Sequence, residues 1–110
     1  MIIKVTSRHF KAHDSLIDYA ERAVESLTRF YDGIVKAEVI LEFEKVHKSA
    51  KIAEMSVKVY NAMLTGVAKS DAFEKSIDAA AAKVQVQLKK YKERRHAHDR
   101  QKVRRVREKE

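Results

Sequence analysis

Apolar and polar residues alternate from Ile2 to Ser7, with Ile3 and Val5 on one side and Lys4 and Thr6 on the other, the period of a half-buried strand. The period then lengthens to that of a helix. Leu16, Ala20, Ala23, Val24, Leu27 and Tyr31 share one helical face, and His13 or Asp14 is placed to cap its start. A stop is predicted near Asp32 and Gly33, where glycine can take the left-handed conformation of a helix end. Alternation resumes with Ala37, Val39, Leu41 and Phe43 facing in and Glu38, Glu42 and Glu44 facing out. After a polar turn at His47-Lys48-Ser49, a third strand points Ala53, Met55, Val57 and Val59 inward. Asn61 and Ala62 make a plausible tight turn into a fourth strand from Met63 to about Ala68, in which Gly66 weakens the strand preference.

The last pattern is the longest. Asp71 and Glu74 have the spacing of a capping box, and Phe73, Ile77, Ala80, Ala81, Val84, Leu88 and Tyr91 follow on one helical side. This helix is expected to reach at least Arg94. Beyond it the apolar residues thin to Ala97, Val103 and Val106, so a folded domain over residues 1–95 and a basic, disordered or frayed tail over 96–110 are expected. The order is β-α-β-β-β-α. A helix of about 17 residues between the first two strands lets them pair in parallel through a right-handed crossover, while short later turns require antiparallel neighbours. The predicted class is therefore α+β, with two helices packed on one face of a four-stranded mixed sheet.

With 110 residues, the chain has room for one hydrophobic core. The absence of cysteine excludes disulfides, thiolate metal sites and a thiol nucleophile. Neither a signal-peptide stretch nor a bilayer-spanning apolar run is visible, and a cytoplasmic protein without a membrane partner is expected. Charge changes the picture once it is located. The formal net charge is +8, and residues 89–110 hold 11 Lys or Arg against 4 Asp or Glu, leaving the first 88 residues at only +1. Such asymmetry points to a polyanionic partner, either nucleic acid or an anionic membrane surface, rather than to a merely solubilising tail.

The second helix displays much of this charge. With Lys75 at zero and about 100° per residue, Lys90 lies near 60°, Lys83 near 80° and Lys89 near 320°, whereas the apolar residues gather around 140° to 240°. These lysines, continued by Lys92, Arg94 and Arg95, form a stripe about 30 Å long at 1.5 Å per residue. Solvated lysines on a helix usually have glutamates one turn away, but from Lys83 to Arg95 only Glu93 is acidic. A phosphate backbone would relieve the repulsion. Further basic candidates are Arg8, Lys69, Arg22 and Arg29, the last two accompanied on their helix by Asp18 and Glu25, so that local ion pairing there is as good a reading as RNA contact.

Other chemistry finds little support. His96, His98 and Asp99 would need further zinc ligands from distant His9, His13 or His47, and neither a metal site nor any cofactor is expected. Glu42, Glu44 and Glu54 lie on an open sheet face without the desolvation that prepares a carboxylate for acid catalysis. Ser7, Ser15 and Ser70 lack a nucleophile-elbow context, and no small-molecule substrate is implied. Tyr60 is the one aromatic expected to face outward on the sheet, which disfavours base stacking across it and favours phosphate and shape recognition by the helices.

The stretch Ser76-Ile77-Asp78-Ala79, followed by Lys83-Val84-Gln85-Val86-Gln87-Leu88-Lys89-Lys90-Tyr91-Lys92, resembles the second helix of the ribosome hibernation promoting factor family, also called the ribosome-associated inhibitor or sigma-54 modulation protein family. The likeness runs from Met1 to about Arg95 and includes Ser7-Arg8, Phe30-Tyr31-Asp32 and Asp71. It implies a fold akin to a double-stranded RNA-binding domain. It also implies binding to 16S rRNA of the 30S subunit or 70S ribosome, in the channel that messenger and transfer RNA would occupy. The implied action is steric inhibition of translation and storage of inactive ribosomes, without enzymatic activity. Basic residues of both helices carry the contact in that family, matched here by Lys83, Lys89, Lys90 and Lys92 and by Arg22 and Arg29. Departures occur at Ala72, Phe73 and Glu74, where the family usually has Asp, Met and Tyr. Long members of that family carry a second, ribosome-pairing domain for which these 110 residues leave no room, so any ribosome dimerisation is expected to rely on another factor, and the tail is basic rather than acidic. Two other functions are consistent with the sequence, a general double-stranded RNA-binding module and a modulator of sigma-54 activity.

Overall fold

The computed structural model describes residues 1–46 and 49–109, with side chains described for 1–46 and 49–95. The elements are β1 (Ile2–Ser7), α1 (Asp14–Ser26), a 3-10 turn (Leu27–Arg29), β2 (Lys36–Phe43), β3 (Lys51–Val59), β4 (Ala62–Ser70) and α2 (Phe73–Lys109). The strands lie side by side in sequence order. β1 and β2 are parallel, from Ile2 opposite Lys36 to Ser7 opposite Leu41, and the other two pairings are antiparallel. Both helices cover one face. Val39, Leu41, Met55, Val57 and Val59 are sealed beneath Ala20 and Val24 of α1 and Ile77, Ala80, Val84 and Leu88 of α2. The predicted architecture is therefore the observed one.

Local details depart from the sequence reading for identifiable reasons. His13 is the cap of α1, its Nδ1 accepting from the backbone N–H of Ser15 at 3.5 Å. The α-helix itself ends at Ser26, with one 3-10 turn to Arg29, short of the predicted stop near Asp32. Gly33 is not left-handed. Its backbone has negative φ, and the reason for glycine is space: a Cβ would fall 2.6 Å from the Tyr31 ring. The β3–β4 turn consists of Tyr60 and Asn61, one residue earlier than expected, because Val59 pairs with Ala62 and Asn61 takes φ 62°. Asparagine tolerates that conformation better than most side chains. A second left-handed residue, His9 with φ 66°, follows β1. Just after it, Phe10 stacks on Phe73 at 5.1 Å, and Phe43 meets both rings edge-on. Phe43, expected in the core, faces inward but sits at the rim of this cluster with 38% of its surface exposed.

α2 begins differently from the predicted capping box. Its first intrahelical bond joins Ser76 N–H to Ala72 O, and Asp71 pairs with Lys75 instead of a backbone amide. The fastening comes from serines: Ser76, fully buried, donates to Lys51 O at 2.6 Å and lies 2.7 Å from the Ser70 hydroxyl. The β2–β3 turn predicted at His47-Lys48 lies outside the described residues. The backbone of α2 continues as helix to Lys109, whereas the side chains of the 96–110 segment lie outside the described residues.

Candidate nucleic-acid interface

The position of α2 follows from one missing side chain. Gly66 faces the helix from β4, where an added Cβ would stand 2.5 Å from Ala80 O and 3.0 Å from Lys83 Cβ. Glycine in a strand permits such close approach. Held there, α2 reaches over the outer edge of the sheet, where Lys83 Nζ donates to Val67 O at 2.5 Å and Gln87 Nε2 to Thr65 O at 2.7 Å. Two side chains thus cover carbonyls of an edge strand that would otherwise invite pairing with another chain. α1 is tied to α2 by Tyr19, whose hydroxyl is 2.8 Å from each oxygen of Asp78. This bond to Asp78, aided by partial burial, raises the phenol above its ordinary pKa of 10.0.

The predicted basic residues separate into groups. Lys89, Lys90, Lys92 and Arg94 are exposed on α2, and no ion pair joins any of them to a described carboxylate. Lys89 lies over the Phe30 ring at 5.7 Å, bringing the α2 stripe to the end of the first helical segment beside Arg29, which is likewise exposed and without a salt bridge among the described residues. Lys83 belongs to the same arc but is engaged by the β4 edge. Lys92 and Arg95 depart from it. At about 100° per residue they fall near 260° and 200° from Lys75, Lys92 at the border of the apolar stripe and Arg95 in line with it. Past the end of the sheet Arg95 stacks on Tyr60 at 4.9 Å and on Tyr91 at 5.8 Å.

Other candidates are held by acids. Lys75 is 3.1 Å from Asp71, and its ammonium holds that carboxyl below the usual carboxylate range. Arg22 is 3.0 Å from Asp18, the local pairing that the spacing allowed. Arg8 and Lys69 lie on the open face of the sheet, opposite the helices, paired with Glu42 at 3.7 Å and Glu44 at 3.0 Å. The structure therefore gathers the free α2 cations and Arg29 and leaves Arg8 and Lys69 on the other side. Among the described residues, no group of three His, Cys, Asp or Glu side chains is placed to hold a metal ion. His47, His96, His98 and Asp99 lie outside the described side chains. No described helix is long and apolar enough to cross a membrane.

Sequence reasoning missed two features of this surface. Asp78 was legible only as part of a resemblance, since its exposed position on α2, one residue after the buried Ile77, gave no hint of a partner in α1. The aromatic corner formed by Tyr31, Tyr60 and Tyr91 was also missed, because its members are 29 and 31 residues apart and meet only when the sheet and α2 assemble.

A family model described as sigma 54 modulation protein / S30EA ribosomal protein matches residues 3–96. The chain is 29% identical over 94 residues to a ribosome hibernation promoting factor of Azotobacter vinelandii, covering 86% of this chain and 85% of that one. Its fold is similar to that of a ribosomal subunit interface protein from Coxiella burnetii, with a TM-score of 0.72 and 27% identity over 84% of this chain and 98% of the other. It is equally similar to the N-terminal domain of Protein Y from Thermus thermophilus, with a TM-score of 0.73 and 25% identity over 83% and 99% of the two chains.

Proposed function

This chain belongs to the sigma 54 modulation protein / S30EA ribosomal protein family, and from that premise we propose that it binds the small ribosomal subunit through 16S rRNA and holds ribosomes inactive. The observation that carries the reading is the exposed set Lys89, Lys90, Lys92 and Arg94, unneutralised by any described carboxylate, on a helix whose apolar side is locked into the core. Fixed cations on a rigid rod meet RNA phosphates without first breaking internal ion pairs. The names of the relatives, a hibernation promoting factor and a subunit interface protein, agree with a ribosomal partner. Residues 1–95 form the binding domain, and the basic segment 96–110 adds phosphate contacts. Arg22, Lys75 and Lys83 contribute by exchanging their internal partners for phosphate, and Arg8 and Lys69 contact RNA from the opposite side. Occupying the channel of messenger and transfer RNA excludes both sterically, with no catalytic step, so the protein acts as a translation inhibitor in the cytoplasm.

Cosedimentation with 30S and 70S particles over a series of salt concentrations tests this. Association is expected to weaken steeply with salt, and the K90E/K92E/R94E variant to lose at least roughly two to three units of the logarithmic salt slope, at about 0.7 to 0.9 per phosphate contact. Its thermal melting should stay that of the parent. Unchanged ribosome association by the triple variant overturns the mechanism. Equal affinity for a plain RNA duplex and for the subunit would replace it by general double-stranded RNA binding, and recovery of RNA polymerase in place of ribosomes would replace it by sigma-factor modulation.

A further inference from the structure

At the end of the sheet where β3 turns into β4, the fold assembles an aromatic corner beside the cationic stripe. Tyr60 occupies the turn itself and is 68% exposed. Exposure of a single ring is ordinary on a protein surface, and what sets this one apart is the group of side chains built around it. Its placement is not loose. Asn61 sets the turn with φ 62°, and Tyr91 of α2 donates its hydroxyl to the carbonyl oxygen of Tyr60 at 2.6 Å. Tyr91 is in turn met edge-on by Tyr31, with ring centroids 5.4 Å apart at 85°. Arg95 then completes the arrangement, donating to the Tyr91 hydroxyl at 3.3 Å while its guanidinium lies over the Tyr60 ring at 4.9 Å.

We propose that Tyr60, backed by Arg95 and fixed by Tyr91, is a stacking platform for one unpaired nucleobase of RNA. The chemistry follows from the layers. One side of the ring carries a guanidinium, which withdraws electron density and favours stacking of an electron-rich base on the remaining surface. The Tyr91 bond fixes the backbone of residue 60 and Arg95 packs on the ring, which lowers the entropy cost of holding the ring for a stacked base. Phosphates flanking the base would lie close to the α2 cations one and two turns earlier, Lys92 and Lys89, which places a base contact at the end of a phosphate track. Stacking is tolerant of base identity, so the platform reads an extruded base rather than a sequence. The proposal depends on the ribosomal reading only in taking RNA as the ligand.

The test uses the full chain and its Y60L and Y60W variants. A short single-stranded RNA carrying 2-aminopurine reports stacking directly, because the base is quenched when it lies on an aromatic ring. Quenching is expected with the parent and Y60W and is expected to vanish with Y60L. Binding to isolated small ribosomal subunits should fall about tenfold in Y60L, from the usual loss of one stacked base, with the salt slope unchanged since no charge is removed. The K90E/K92E/R94E variant has the opposite signature, a reduced slope with quenching retained at low salt. Quenching that is the same in Y60L and the parent overturns the platform, as does Y60W behaving like Y60L in both measurements. Persistent Tyr60-dependent quenching without ribosome association would leave the platform standing and remove the ribosomal reading. Melting curves of both variants should match the parent, because the anchoring bond uses the backbone of residue 60.

Discussion

Replacing Gly66 by alanine should destabilise the fold by about 2 kcal/mol, although the substitution adds only one methyl group. Gly66 has negative φ, so alanine meets no backbone strain and the unfolded chain loses entropy, which by itself would stabilise the variant by about 0.4 to 1 kcal/mol. Opposing this, the new Cβ would lie 2.5 Å from Ala80 O, and 3.3 Å from Val84 Cγ2. A helix carbonyl cannot rotate away as a side chain would. Relief therefore requires α2 to move off β4 by roughly 0.7 Å, and a gap of that size forfeits about a quarter to a half of the contact energy of the atoms around it. Ala80, Val84 and the buried neighbours Ile77 and Leu88 share that loss, for a gross cost of about 3 kcal/mol, typical of overpacking a tight core. At about 2.1 cal/mol/K of unfolding entropy per residue, a net 2 kcal/mol lowers the melting midpoint by roughly 9 °C. Thermal unfolding followed by circular dichroism measures it. Gly33→Ala is the control, since its clash is with the movable Tyr31 ring at 2.6 Å and should cost under about 1 kcal/mol. A G66A protein as stable as the parent, or one less affected than G33A, would refute the argument that glycine is there to seat the helix.

Tyr19→Phe removes the hydroxyl that joins α1 to Asp78 and should cost about 1 kcal/mol, near 4 °C in the melting midpoint. Because the folded phenol has a raised pKa, its stabilising effect is complete below the unfolded value of about 10 and is lost as pH rises through the folded one, so the gap between parent and Y19F should close in alkaline solution; a gap that widens there would contradict the hydrogen bond. Lys83→Met should lower the melting midpoint by a few degrees by uncovering Val67 O, whereas Lys90→Met should leave it within about 2 °C, consistent with ordinary surface substitutions. In ribosome binding the order should reverse, with the larger loss in K90M, since Lys83 must first give up a protein bond to reach a phosphate.

What was legible in the sequence was the part fixed by periodicity. The alternation at Ala37 to Phe43 and at Ala53 to Val59, and the helical spacing from Phe73 to Tyr91, each depend on which neighbours along the chain share a side, and each reappears as the buried face of its element. Contacts between distant segments were not legible. Asp71 had the spacing of a capping box, yet an ammonium four residues on competed for its carboxylate, while the buried Ser76 fastens the helix through Lys51 of another strand. Gly66 looked like a weakness in a strand because propensity counts only local cost, and the close approach of α2 that repays it involves residues 14 to 18 positions later. For the candidate interface, the wheel placed Lys83, Lys89 and Lys90 on the outward side correctly, but it could not distinguish a lysine that reaches water from one that turns onto an edge carbonyl. Arg95 was assigned by its charge to the same stripe, although its angle belongs with Leu88 and Tyr91, and the structure follows the angle.

These engagements grade the cations of α2 by what each must surrender. Lys75 would leave a carboxylate, Lys83 an edge carbonyl and Lys89 only the face of an aromatic ring, whereas Lys90, Lys92 and Arg94 have no described partner to lose. Affinity for a polyanion is set by the difference between free and bound states, so cations already satisfied internally add less than their number suggests. The contacts that diminish the binding value of Lys83 are also what hold α2 at its height over β4, since the helix is seated by Gly66 below and tied by Lys83 and Gln87 along the edge. A helix fixed at both places cannot tilt to follow an irregular surface. If RNA is the ligand, as proposed above, its outward cations are offered at fixed positions that a folded cleft can match without reordering, whereas a flexible strand must be ordered to meet them.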